Sequence, residues 1–238
     1  MHVILIPGLW LDGSSWDPII PALEQAGHRA HPLTLPGLES EDTDRSGITV
    51  RDHVDAVTAA IDAVPPAEGK VVVVGHSMGA GIACAATDAR TQRVARAVYV
   101  GGFPAADGEP LGTGFHAENG EIPLPPWENL GEEDIADLDD AMRAAFRERS
   151  VPSPERAVTD PLRLTDERRY DVPLTVVCPE FTGAQLQAWI EAGEPSVQEF
   201  TKFRDVEYMD LHTGHWPQFS RPDLLGQAIV AAADKSAA

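Results

Sequence analysis

Short apolar runs alternate with longer amphipathic stretches along this 238-residue chain. Val3-Ile4-Leu5-Ile6, Val71-Val72-Val73-Val74 and Ala95–Val100 are dominated by aliphatic residues, the pattern of strands buried on both faces. Arg29–Leu35, Pro173–Val177 and Val206–Leu211 complete a set of six predicted strands. Helical signals fall between them. Asp17 is expected to cap a helix with Pro18 at its first position, ending near Gly27. Thr49 precedes Val50–Val64, where Val54, Val57 and Ile61 share one face, and Pro65-Pro66 stops the pattern. Ile82–Ala86, Gly183–Ala192 and Pro222–Ala233 are further predicted helical stretches. Strands alternating with helices predict an α/β fold: a doubly wound, mostly parallel sheet of about six strands, covered on both faces.

The alternation breaks at Pro104. From there to Tyr170 the chain is proline-rich and acidic, shows no clear strand, and holds one convincing helix, Glu132–Arg149. A plain loop of this length is uncommon between core strands. It is expected to be a helical cap over the C-terminal edge of the sheet, dividing the chain into a core of residues 1–103 and 171–238 and a cap of residues 104–170.

Charge narrows the partners. The formal net charge of −20 argues against nucleic acid and anionic membrane surfaces, and disfavours a strongly anionic substrate. Cys84 and Cys178 show neither metal-ligand spacing nor a disulfide framework, so no metal and no cofactor is expected. No basic segment precedes the first strand, and no apolar run approaches the ~20 residues of a membrane span. The expectation is a cytoplasmic monomer or homodimer that acts on a small molecule.

The chemistry centres on Gly75-His76-Ser77-Met78-Gly79, which sits between the valine strand and a small-residue helix. This is the G-x-S-x-G elbow pattern in the strand–turn–helix setting it requires. The two glycines suit a turn that crowds its neighbours, and the helix start points N–H groups at whatever Ser77 attacks. A serine nucleophile needs a base, and the base needs an orienting group. His215, in the loop after the last predicted strand, is placed to be that base; His212 sits nearer the strand end.

With these residues the chain resembles the α/β-hydrolase superfamily, and within it the small branch of plant methylesterases and hydroxynitrile lyases. The resemblance rests on Leu5-Ile6-Pro7-Gly8 with Trp16, Gly75–Gly79, Leu164-Thr165-Asp166-Glu167-Arg168 and Gly214-His215. It implies an oxyanion hole made by the backbone N–H groups of Leu9 and Met78. The branch's lyases carry a lysine after the histidine and a threonine in the first loop. Here those places hold Trp216 and Gly8, so lyase activity is not expected. The family's acid follows the late strand, where this chain reads Val177-Cys178-Pro179-Glu180-Phe181. Phe181 occupies the acid's place and Glu180 is the carboxylate at that strand end. Glu180 is the expected orienter, with Asp107, Asp205, Asp210 or no acid at all as the alternatives.

The resulting expectation is a serine hydrolase that cleaves a carboxylic ester or lactone of a small, largely apolar substrate through an acyl-enzyme on Ser77. Trp10, His76, Phe103, Trp127 and Trp216 are expected to line the substrate pocket. The competing readings are a lyase or cofactor-free oxygenase that uses His215 as base, and a non-catalytic ligand-binding protein.

Overall fold

The computed structural model describes residues 1–236. Six strands form one sheet: β1 (His2–Ile6), β2 (Arg29–Pro32), β3 (Val71–His76), β4 (Val94–Val100), β7 (Leu174–Cys178) and β8 (Val206–Asp210). Their order is β2-β1-β3-β4-β7-β8, and every adjacent pair is parallel. Alternate side chains of each strand face opposite sides, so the aliphatic runs feed two cores. Ile4, Val71, Val73, Tyr99 and Val176 enter one, and Val3, Leu5, Val72, Val74 and Val98 the other. Helices α2 (Val50–Ala63), α3 (Met78–Ala89) and α6 (Gly183–Ala192) contribute to the first core; α1 (Ile20–Gln25) and the closing helix Pro222–Asp234 cover the second. All four valines of β3 are 0% exposed, and each fully buried side chain of this size contributes roughly 1.5–3 kcal/mol.

Three local readings need correction. Asp17 does not start a helix. It closes a 3-10 turn, Gly13–Trp16, that Asp12 caps, and α1 begins at Ile20. The proline in the first turn is Pro21 rather than Pro18, a position where its missing N–H costs nothing. The predicted strand to Leu35 ends at Pro32, on the edge of the sheet, where a proline is tolerated. The predicted helix from Glu132 begins only at Asp140, as α4 (Asp140–Arg149), because Asp139 caps it by accepting the Met142 N–H at 2.8 Å.

No strand of the main sheet falls in residues 104–170. The expectation of no strand there also needs correcting. Two-residue strands β5 (Glu121–Ile122) and β6 (Ser153–Pro154) pair antiparallel, followed by the short helix α5 (Glu155–Thr159). A third apolar cluster ties this segment to the rest. Ile122, Leu138, Phe146 and Val158 pack with Leu9, Trp10 and Leu11 of the first loop and with Trp216.

The chain leaves β1 outward to β2 and returns to β3 on the other side of β1. Such a reversal opens a crevice beyond the carboxyl ends of the two central strands. The loop after β1 and the turn after β3 flank that crevice, and Ser77 stands on the second of them. No described helix is long and apolar enough to cross a membrane.

Candidate active site

Ser77 joins β3 to α3 with φ 52° and ψ −122°, a region of backbone space costly for any residue with a side chain. The packing that holds it there is absolute at the flanking glycines. A Cβ on Gly75 would lie 2.2 Å from the Gly79 carbonyl oxygen, and a Cβ on Gly79 would lie 2.5 Å from that of Pro7. Gly102, two residues past the end of β4, passes so close that a Cβ there would sit 2.3 Å from the Ser77 carbonyl oxygen.

Ser77 Oγ lies 2.9 Å from His215 Nε2, and His215 Nδ1 lies 2.8 Å from Glu180 Oε1. A carboxylate accepts, so Nδ1 carries the proton, Nε2 is bare, and the serine hydroxyl donates to it. The backbone of His215 is anchored as well: its N–H donates to the Asp134 carbonyl oxygen at 2.8 Å. Glu180 follows β7 by two residues, beyond the reach of strand alternation. The pairing of Leu211 N–H with the Cys178 carbonyl, and of Thr213 N–H with the Pro179 carbonyl, carries the two loops forward side by side. Gly101 (φ 55°) leaves room beneath them, where a Cβ would stand 3.3 Å from His215 Nδ1. The alternative carboxylates are engaged elsewhere. Asp107 accepts the Leu164 N–H, Asp210 accepts the Gly183 N–H, and Asp205 is exposed ahead of β8.

Leu9 and Met78 line one small void of about 10 Å³ next to Gly8. Met78 is the first residue of α3, so its N–H has no carbonyl one turn back. The Leu9 N–H has no acceptor among the described residues. Trp10 (φ 66°) fixes the turn that presents Leu9, and its own N–H is taken by Ser153 Oγ at 2.9 Å.

Two adjoining cavities open on these residues. One, of about 860 Å³, is lined by Ser77, Met78, Phe103 and Leu111 together with Glu199 and Lys202. The other, of about 700 Å³, is lined by Phe103, Phe181 and Trp189 with Asp134, Glu180 and His215. Of the five expected pocket residues, Phe103 alone lines these spaces. Trp10 and Trp216 are buried, and Trp127 packs edge-on against Trp216 and Phe146; all three belong to the third apolar cluster. Aromatic residues adjoining a site have the largest apolar area to bury, and here they bury it against the 104–170 segment. His76 is 0% exposed. It ends β3 and lines neither cavity, its Nε2 2.7 Å from the His215 carbonyl oxygen and its Nδ1 3.2 Å from Gln218 Nε2. Burial, reinforced by His215 nearby, pushes its pKa down to about 3.

Asp134, Glu180 and His215 bring ligand atoms within 4.8 Å of one another, the one such grouping among the described residues. Two of the three are already joined by a hydrogen bond. Burial raises the pKa of the Asp134 carboxyl. Cys84 and Cys178 are free and buried, their thiols pushed up to about 11 and about 12 by burial, which makes them unreactive. Asp134 and Gln218 carried no signal in the sequence: one is among many acids of an acidic segment, the other an isolated amide.

The model of the alpha/beta hydrolase family matches residues 3–228, nearly the whole chain. The chain belongs to that family. Stretches of this α/β hydrolase are similar to Methylesterase 18 of Arabidopsis thaliana, 30% identical over 99 residues, or 42% of this chain and 38% of that protein. A pyrethroid hydrolase of Sphingobium wenxiniae is 32% identical over 77 residues, 32% of this chain and 27% of that one. The matched stretches thus span less than two fifths of these curated relatives. An extracellular α/β-hydrolase from a Paenibacillus species, described as sharing structural and functional homology with tobacco salicylic acid binding protein 2, superposes over 98% of both chains. Its TM-score is 0.78 at 19% identity. That likeness shows the shared fold.

Proposed function

We propose that this α/β hydrolase cleaves a carboxylic ester or lactone of a small, largely apolar substrate through an acyl-enzyme on Ser77. One observation carries the reading. A single hydrogen-bonded relay, Ser77 Oγ to His215 Nε2 and His215 Nδ1 to Glu180 Oε1, with links of 2.9 and 2.8 Å, ends at a serine that lines a cavity of about 860 Å³.

In this reading His215 takes the Ser77 proton as the oxygen attacks the substrate carbonyl carbon. Glu180 keeps the imidazole in the tautomer that leaves Nε2 bare and offsets its charge once protonated. The oxyanion of the tetrahedral intermediate sits between the N–H groups of Leu9 and Met78, each such donor worth ~10²–10³-fold in turnover. The imidazolium then protonates the departing alcohol, and water, activated by the same His215, releases the acid. Residues 104–170 act as the cap: Leu111 lines the cavity, and Trp127 and Phe146 brace Trp216 beside the base.

The relatives bearing esterase and hydrolase names support ester cleavage as the reaction class. The test is a panel of p-nitrophenyl esters and lactones, with a fluorophosphonate probe. The wild type is expected to turn over neutral esters and to be labelled on Ser77. Ser77→Ala should abolish both, and His215→Ala should lose nearly as much, with no additivity in the double variant. Hydrolysis that survives in Ser77→Ala would overturn the reading.

A further inference from the structure

We infer that His76, the residue before the nucleophile, positions His215 for the proposed hydrolysis, and that Gln218 reinforces the ring tautomer that the His215 carbonyl requires. This inference rests on the reading of Ser77 and His215 as nucleophile and base.

His76 Nε2 lies 2.7 Å from the His215 carbonyl oxygen. A carbonyl only accepts, so Nε2 must carry a proton. In a neutral ring Nδ1 is then bare. The group facing Nδ1 is the amide of Gln218, 3.2 Å away and 0% exposed. Its nitrogen must face the ring, because the opposite amide orientation would set two acceptors against each other. The remaining amide oxygen, Gln218 Oε1, is buried with no partner among the described residues. A buried acceptor left unpaired costs about 1–3 kcal/mol. The amide is held in this orientation despite that cost, which is what a fixed tautomer demands.

The burial of His76 supports the same assignment. The ring is 0% exposed, and desolvation holds its pKa down to about 3, so it is neutral near neutral pH. The groups around it are His215, whose ring centroid lies 5.0 Å away, Gln218, and the backbone at Gly8, where a Cβ would stand 2.8 Å from Nδ1. Gly8 leaves the space the ring fills.

The consequence is geometric. Ser77 and His215 belong to separate segments 138 residues apart in sequence. The direct Ser77–His215 hydrogen bond is one link between them, and it must break and re-form in every turnover. The His76–carbonyl bond is a second link, adjacent in sequence to the nucleophile and untouched by the chemistry. It ties the backbone of the base to the end of β3, while Asp134 ties the same residue's N–H from the other side. Small displacements of a reacting group are costly in rate, so losing this tie should lower the chemical step more than substrate binding.

The test compares His76→Leu, His76→Gln and Gln218→Met on a neutral ester, with 15N-histidine NMR of the wild type. His76→Leu fills the space without a donor. It is expected to lower kcat by about 10–100-fold with KM changed less than about threefold, and to slow fluorophosphonate labelling of Ser77 in parallel. His76→Gln, whose amide reaches about as far as Nε2, is expected to recover most of that loss. Gln218→Met should cost less than His76→Leu and should mix the tautomers in the NMR spectrum, where the wild type shows one ring protonated at Nε2. A wild-type kcat in His76→Leu, with hydrolysis still abolished by Ser77→Ala, would overturn this inference and leave the proposed function standing. If His76→Leu does not fold, a wild-type spectrum showing Nδ1 protonated, or unaltered tautomer and kcat in Gln218→Met, would overturn it equally.

Discussion

At the scale of single residues, the site depends on where hydrogens must lie. Glu180 accepts from His215 at 2.8 Å, and His215 faces Ser77 at 2.9 Å. Glu180→Gln keeps the shape but can present an amide N–H to Nδ1, which would hold the ring in the wrong tautomer. Turnover is therefore expected to fall by up to ~10⁴-fold with little change in KM; unaltered kinetics would remove Glu180 from the relay. The place of Glu180 at the strand end was legible in the sequence. Its reach was not. Glu180 stands one position before the family's usual place, and a one-position shift inside a strand would turn a side chain away. It reaches His215 because β7 has already ended at Cys178, and only the path of the loop decides where a residue beyond it points.

At the scale of elements, the 104–170 segment is held by a small apolar cluster. Phe146 of α4 is 2% exposed, with Trp127, Trp216 and Phe219 all packed edge-on around it at 5.2–5.5 Å. Phe146→Ala is expected to destabilise the protein by ~3–5 kcal/mol, measured by urea unfolding. It should also depress ester turnover, because Trp216 directly follows His215 and would lose its support. A loss of stability with turnover intact at low temperature would separate this segment from the chemistry. The aromatic residues were visible in the sequence, but their partners were not. Trp10, Trp127 and Trp216 looked equally suited to line a pocket, and only the tertiary structure shows that they join one apolar cluster with the 104–170 segment instead.

At the scale of the whole molecule, buried histidines make stability depend on pH. His76 titrates at about 3 in the folded protein, against 6.5 when unfolded, and burial also lowers His53. Below pH 6.5 the unfolded chain binds protons that the folded chain refuses, so unfolding becomes easier as pH falls towards 3. His76 alone contributes a slope of ~1.4 kcal/mol per pH unit over that window. Urea unfolding at pH 6.5 and pH 5 should differ by about 2 kcal/mol less in His76→Gln than in the wild type; equal differences would show that the ring is charged when folded. The same residue marks the boundary between what the sequence carries and what the fold adds. Apolar runs with helical stretches between them determine the parallel sheet, because a strand buried on both faces must be aliphatic throughout. The glycines around Ser77 determine the elbow, because such a turn tolerates no side chain beside it. The chain's periodicity says nothing of contacts between segments far apart in sequence. His76 against the His215 carbonyl, Asp134 against its N–H, and the aromatic cluster over the first loop exist only once the sheet and the 104–170 segment bring distant loops to one edge.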